Sequence, residues 1–482
     1  MLIKQLFNDN NRKCLVYALL LLFLLFLLCQ VSCFTKVNNI LLFTLIVFGI
    51  GLIIKKPYFL IRYMYFFFGL TGNVLGVYII EQSKLYLTEL NVDSSYAGSL
   101  PLLVTAWSIF LIVLLILDML FPVNPKCNDM EFGLMFKDFR INCFALLQYF
   151  MLLLVTLLWF HLWQNPFYLE HMDRFAYQLK YVTGGYKRIF AWCLYCVPVI
   201  CYMAIKEHSK IAVLDLVLYV ALLFWTSEKF GGFFNIALNI GLIYSIYGEG
   251  YSSEGVRNIL VKFMIVFVVL LSIVFIHRGL NYKSSITGEL AYFKQRIAQQ
   301  GQLWWRTYNI DKNNDMRFYE LDSEINTFFE TNDLNEKSYN HAIYKIMRFT
   351  TPLDIFWRKI DSGSRYSTST FASFYYYFKE IGVIAYSLIG AIIFWIFHRM
   401  FIYSIKNSYF IETLISARLL TVCYVFFSQS EFNYLFSIRT FVYVIAFLVI
   451  SAVRYKCCNV LEKRNNVQNE NQEEVQYGSV GY

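Results

Sequence analysis

The sequence predicts an all-α polytopic membrane protein of about twelve transmembrane helices, with a large, partly helical loop between helices nine and ten. Three observations carry that prediction. The chain is 58% hydrophobic and 16% charged, with a mean hydropathy of +0.49, whereas a soluble domain carries about 25% charged residues. Apolar runs close to the ~20 residues that cross a bilayer recur along it. A single long hydrophilic stretch, 277–378, interrupts them.

The expected spans are 14–34, 38–54, 58–80, 99–121, 141–163, 189–205, 211–226, 232–248, 259–276, 379–397, 409–427 and 436–453. They are helices because an isolated strand leaves its backbone groups unsatisfied in lipid. The shortest borrow flanking residues to reach across. The first follows Lys4, Arg12 and Lys13 like a secretory signal, but no small-residue cleavage site follows and the run is long enough to span. The chain divides into helices one to nine (1–276), the loop (277–378), helices ten to twelve (379–453) and a polar, disordered tail (454–482) rich in Asn, Gln and Glu. No internal repeat of fixed short period is present.

Orientation follows from charge. The net charge is +9, and Lys and Arg favour the connections that share a side with the N-terminus by about two to one. Both termini are therefore expected in the cytoplasm and the loop outside, with anionic membrane lipids as neighbours. No soluble module carries a basic patch, so nucleic acid is not an expected partner. Most of the eleven cysteines lie inside apolar runs and the loop has none, so no disulfide framework is read; Cys193 and Cys196 are packing residues of a span. Arg418 falls near the middle of span eleven and needs the bundle interior, with Asp215 or Asp118 as the expected ion-pair partner. His161, beside Trp159 and Trp163, reads as an interfacial histidine.

The loop has amphipathic ends, 289–308 and 354–380, around a charged middle, 309–345, that reads as a lid or spacer. Arg296, Gln300 and Trp304 stand at i, i+4 and i+8, which puts a guanidinium, an amide and an indole on one helical face; Trp305 follows. Such a face suits either a sugar phosphate or an interfacial anchor. The run 363–370 sets Arg365 and Tyr366 among Gly, Ser and Thr, the composition of an anion-holding backbone nest or of a capped connector. Lys229 lies in a short outer turn, where it meets either a lipid-linked phosphate or its neighbour Glu228. Arg278 and Arg439 sit at outer helix ends, where snorkelling explains them. Tyr375, Tyr376 and Tyr377 read as an aromatic belt. Asp311-x-Asn313-x-Asp315 begins like a calcium loop, but Met316 replaces the required Gly and Asp322 the final Glu. There is no phosphate-binding P-loop, G-x-G-x-x-G or H-E-x-x-H, so no nucleotide, nicotinamide or zinc cofactor is expected.

Twelve spans, a large outer loop between the ninth and tenth, and inner termini resemble the Wzy-type O-antigen and capsular polysaccharide polymerases. Three segments are similar to a branch of that family: Glu-Lys-Phe-Gly-Gly at 228–232, Arg-Ile-Ala-x-Gln-x-Gln-x-Trp-Trp at 296–305, and the Gly-x-Arg-Tyr-Ser/Thr run at 363–370. The architecture covers nearly the whole chain and the segments about a tenth of it.

The resemblance implies an enzyme of the bacterial inner membrane that needs no cofactor. It would join undecaprenyl-pyrophosphate-linked oligosaccharide repeat units on the periplasmic face, with a chain-length regulator protein as a further partner. It implies Arg296, Arg365 and Lys229 as catalytic cations, and Gln300, Trp304, Trp305, Tyr366, Arg278 and Arg439 as substrate-binding residues. The general base is left open. An O-antigen ligase using the same donors, a flippase for lipid-linked oligosaccharide, and a transporter or scaffold of envelope assembly are the competing expectations. Cations spread through the spans would favour a flippase, and cations clustered at the outer surface favour an enzyme.

Overall fold

The computed structural model describes residues 36–121, 133–166, 174–226, 230–247, 286–329, 339–362, 365–366, 370–407, 409–429 and 435–456, with a few isolated positions elsewhere. The spans expected at 14–34 and 259–276 fall outside the described residues, apart from isolated positions. The first part of the chain forms α1 (Lys36–Lys55), α2 (Pro57–Arg62), α3 (Met64–Gln82), a hairpin of β1 (Tyr86–Leu87) and β2 (Val92–Asp93), α4 (Leu100–Leu120), α5 (Gly133–Trp163), α6 (Arg174–Tyr181), α7 (Gly184–Ile205), α8 (Lys210–Trp225) and α9 (Phe230–Tyr247). The hydrophilic stretch folds into short helices, α10 (Ile286–Ala298), α11 (Gln302–Asp311), a 3₁₀ turn (Phe318–Glu320), α12 (Asp322–Phe329), α13 (Ala342–Thr350) and α14 (Leu353–Asp361). Three long helices close the chain: α15 (Thr370–Lys406), α16 (Phe410–Gln429) and α17 (Ile438–Lys456).

Among the described residues, eight helices are long and apolar enough to cross a membrane. The protein is an all-α, multi-pass membrane protein. Its core is aromatic. Phe66 of α3 meets Phe394 of α15 at 4.4 Å between ring centroids, Phe110 of α4 at 4.7 Å and Phe427 of α16 at 5.3 Å. These tilted and edge-on pairs add packing energy beyond the area they bury. They make α15 the central post, packed most extensively against α16 and α4.

Two expected spans lie on helices that the structure interrupts. The run 58–80 is two helices, because Pro57 starts α2 and Tyr63 breaks it with φ −108° and ψ 22°. The break turns the Tyr63 hydroxyl toward Asp118, to which it donates at 2.9 Å. The span expected from 379 begins at Thr370, so it crosses the boundary drawn between loop and helix. Lys379 interrupts it with φ 55° and ψ −144°, a region that side chains other than Gly rarely adopt. Gly382 permits the kink, since a Cβ there would lie 2.7 Å from the Phe374 carbonyl.

Asp118 and Glu412 are paired with arginines near helix ends. Asp118 accepts from Arg62 at 2.9 Å, Arg399 at 3.0 Å and Trp395 at 3.3 Å, besides Tyr63. Glu412 receives two bonds from Arg454, at 2.7 and 2.8 Å. The expected partner of Arg418 is corrected. Asp118 is taken by Arg62 and Arg399, and both carboxylate oxygens of buried Asp215 lack a hydrogen-bond partner. Arg418 instead lies 4.0 Å over the Tyr195 ring, where a desolvated cation is stabilised by the π face. The His161 Nε2 lies 3.2 Å from the Tyr181 carbonyl.

The short helices dock on α3 by a backbone contact. A Cβ added to Gly76 would lie 2.6 Å from the Gly301 nitrogen, and one added to Gly301 would lie 2.5 Å from the Val77 nitrogen. Neither position has room for a methyl group. Gly76→Ala and Gly301→Ala should each cost about 1–3 kcal/mol by overpacking. Because both open one contact, the double variant should cost less than the sum. Thermal unfolding in detergent checks both statements.

Candidate functional site

The hairpin between α3 and α4 is the surface on which both ends of the hydrophilic segment meet. Tyr86 pairs with Asp93 and Leu87 with Val92, and Asn91 makes the turn in the left-handed region, which Asn tolerates. Glu89 sits in that turn. Its carboxylate accepts from Lys359 at 2.7 Å and from Gln302 at 2.5 Å, and its carbonyl accepts from Tyr366 at 2.6 Å. Gln302 comes from the first end, Lys359 and Tyr366 from the second. Gln295 donates to Thr88 at 2.7 Å from the same first end. Charge-assisted bonds of this kind are the stronger class.

The expected face of Arg296, Gln300 and Trp304 is not formed. α10 ends at Ala298 and α11 begins at Gln302, so Gly301 lies between two helices and the three side chains do not share one. Arg296 is exposed, with its Nε donating to the Tyr292 hydroxyl at 2.5 Å and NH1 to Gln299 at 3.0 Å. Gln300 is half-buried against Gly72, and its carbonyl accepts from Asn73 at 3.2 Å. The indoles are core residues. Trp304 is 2% exposed and donates to the Ser99 carbonyl at 3.1 Å, while Trp305 is 0% exposed and donates to Ser95 at 2.9 Å. With both faces packed, neither ring is a platform for a sugar. They position the segment on the loop that enters α4.

The second end keeps its cation at the surface. Arg365 is exposed, its guanidinium 4.9 Å over the Tyr344 ring. Its neighbour Tyr366 is buried, with the hydroxyl spent on Glu89 and burial pushing its pKa up, so it serves as a donor and a spacer. Arg439 is exposed at the start of α17. Lys229 and Arg278 lie outside the described residues, as do 363–364 and 367–369.

Sequence reasoning missed the surroundings of Arg365. Tyr339, Tyr344 and Trp357 form a half-buried aromatic patch, with Tyr339 5.2 Å from Tyr344 and 6.1 Å from Trp357 between centroids. His341 stands beside it, 5.9 Å from the Tyr344 ring and 8% exposed. Burial first, and then the charge of Arg365, push its imidazole down to about 4. Its Nδ1 is buried with no hydrogen-bond partner among the described residues. The spread of these residues over 339–365 hid them, since no single helical face contains them.

Described residues of the charged middle are tied to α15. Asp311, fully buried, is held by Arg317 at 2.7 Å and by the Lys379 ammonium, which also donates to the Asp311 carbonyl at 2.9 Å. Arg317 stacks 4.4 Å over Tyr376, whose hydroxyl donates to Glu320 at 2.7 Å. Lys345 reaches Glu320 at 3.0 Å. Tyr377 donates to Glu324 at 2.6 Å, so the tyrosine run serves this network rather than a membrane belt. The false calcium loop is thus the acidic half of an ion cluster that ties the segment to the kink of α15. Among the described residues no group of three or more His, Cys, Asp or Glu is placed to hold a metal.

The profile of a family of unknown function, DUF6418, matches residues 336–444. That stretch carries His341, Tyr344, Trp357, Arg365 and Lys379 and leaves out Lys229 and Arg296. No curated protein matches the chain. No solved structure matches it either.

Two measurements test the ion cluster. Asp311→Ala removes the carboxylate shared by buried Lys379 and half-buried Arg317 and should cost about 3–5 kcal/mol, read as a lower unfolding midpoint in detergent. Burial alone would raise the Glu320 carboxyl, but bonds from Tyr376 and Lys345 and the charges of Lys345 and Arg317 hold it below its ordinary value of 4.5. A carboxyl lowered in this way stabilises above its unfolded value and loses that contribution as pH falls through the folded one. The melting temperature should therefore drop on acidification below about 4.5, and less so in Glu320→Gln.

Proposed function

We propose that the protein is a membrane glycosyltransferase that joins oligosaccharide repeat units carried on undecaprenyl pyrophosphate into O-antigen or capsular polysaccharide. The observation that carries the reading is the pairing of Arg365 with the aromatic patch of Tyr339, Tyr344 and Trp357. A planar guanidinium suits phosphate oxygens, and half-exposed rings suit a pyranose face. Both belong to a layer docked at the ends of apolar helices, where the lipid of a lipid-linked sugar would sit.

In the reaction a hydroxyl of one lipid-linked unit attacks the anomeric carbon of the growing chain. The carbon–oxygen bond to the lipid pyrophosphate breaks, and its electron pair leaves with the pyrophosphate. The donor supplies the driving force, so catalysis consists of holding two substrates and stabilising the leaving charge. Arg365 meets the second need, with Arg296 and Lys229 as further cations. On this reading the chain crosses the inner membrane twelve times, with both termini in the cytoplasm and the segment 277–378 in the periplasm.

A ligase that moves the polymer to lipid A core would use the same donor and the same cation. The flippase reading gains less support, because Asp118 and Glu412 are neutralised by arginines and Arg418 is stacked on Tyr195.

Deletion of the gene should collapse the polysaccharide ladder to a single repeat on lipid A core, or abolish capsule polymer. Complete loss of attached repeats would point to the ligase or the flippase. Arg365→Ala should reproduce the collapse at normal protein level, with a rate loss of about 10²–10³ for a missing charge-stabilising group. Arg296→Ala is the parallel test for the first end, and a full ladder from either variant removes that residue from catalysis.

A further inference from the structure

We infer that His341 is the general base that takes the proton of the attacking sugar hydroxyl. The inference rests on the glycosyl-transfer reading and supplies the group which that reading leaves open.

Among the described residues, the ordinary partners of a histidine at this position are absent. His341 is the N-cap residue of α13, yet its side chain makes no capping hydrogen bond. A buried core imidazole is normally hydrogen-bonded; the Nδ1 of His341 is buried with no partner among the described residues. The ring is held beside Tyr344, which also carries the Arg365 guanidinium over its face. Imidazole, phenol ring and guanidinium therefore form one cluster, with half-buried Tyr339 and Trp357 at its edge.

The electrostatics suit a base that acts only with donor bound. Among the described residues, the charged group that acts on the ring is Arg365, and with burial it keeps the imidazole neutral and ready to accept. A pyrophosphate on Arg365 would cancel that charge and raise the proton affinity of the ring. Base strength thus arrives with the leaving group. In the step itself the new carbon–oxygen bond forms as the bond to pyrophosphate breaks. The hydroxyl proton passes to the imidazole, and the lipid pyrophosphate departs with the electron pair. The imidazolium then returns its proton to water.

The test uses full-length protein in detergent or vesicles, with lipid-linked repeat units extracted from cells lacking the gene as substrate. His341→Gln should slow polymerisation by about 10²–10⁴-fold, the range of a lost general base, while the extracted lipid-linked units bind as tightly as to the unaltered protein. His341→Ala should recover activity when imidazole is added. Full activity of His341→Gln overturns the inference. So does a loss that tracks weaker binding, or one that imidazole does not restore, because either marks a structural role. If the unaltered protein does not polymerise these units, the glycosyl-transfer reading itself falls and the inference with it. If the unaltered protein polymerises them, Arg365→Ala does not and His341→Gln does, only the inference falls.

Discussion

Both ends of the hydrophilic segment are held by one carboxylate. Glu89 binds Gln302 from the first end and Lys359 from the second, and its own carbonyl takes the Tyr366 hydroxyl. The hairpin that presents it is only a few residues long, yet it fixes the relative position of elements more than fifty residues apart. Without it, Tyr366 and hence its neighbour Arg365 would have no fixed place above the helices. The close approach of Gly76 and Gly301, and the indole bonds to Ser95 and Ser99, then lock the layer to α3 and α4.

The bilayer explains where the charges are. An ionised group in hydrocarbon must be paired or moved to an end. Asp118 and Glu412 are neutralised by arginines near helix ends, and Arg418 is covered by a tyrosine ring. A denser cluster, around Asp311, Glu320 and Lys379, lies at the junction of α15 with the docked layer. There the backbone of Lys379 adopts a conformation unfavourable for a side chain. Such an arrangement persists only where the surroundings over-determine it. The buried ion pair with Asp311 and the absence of a side chain at Gly382 supply that determination.

Much of the helix content was legible because lipid imposes a simple rule on composition. Long apolar runs such as 38–54 and 99–121 became α1 and α4 with ends shifted by one or two residues. The break at Tyr63 was not legible, since the partner that its hydroxyl meets, Asp118, lies on another helix. The site was legible in part. Arg365 stood out by its Gly, Ser and Thr neighbours, and the structure places it at the surface. Trp304 and Trp305 were misread because a tryptophan pair looks the same whether it meets solvent or the carbonyls of Ser95 and Ser99. His341 and Trp357 gave no signal, because their relation to Arg365 runs through Tyr344 and Tyr339.

The sequence by itself determined that this chain is a helical, multi-pass membrane protein, because hydropathy is additive along the chain and needs no knowledge of contacts. Only the tertiary structure decided which polar residues are structural and which are available. That distinction depends on what each side chain meets after docking. The two tryptophans and Asp311 went to the interior, while Arg365 and its ring of aromatics stayed at the surface, beside a buried histidine.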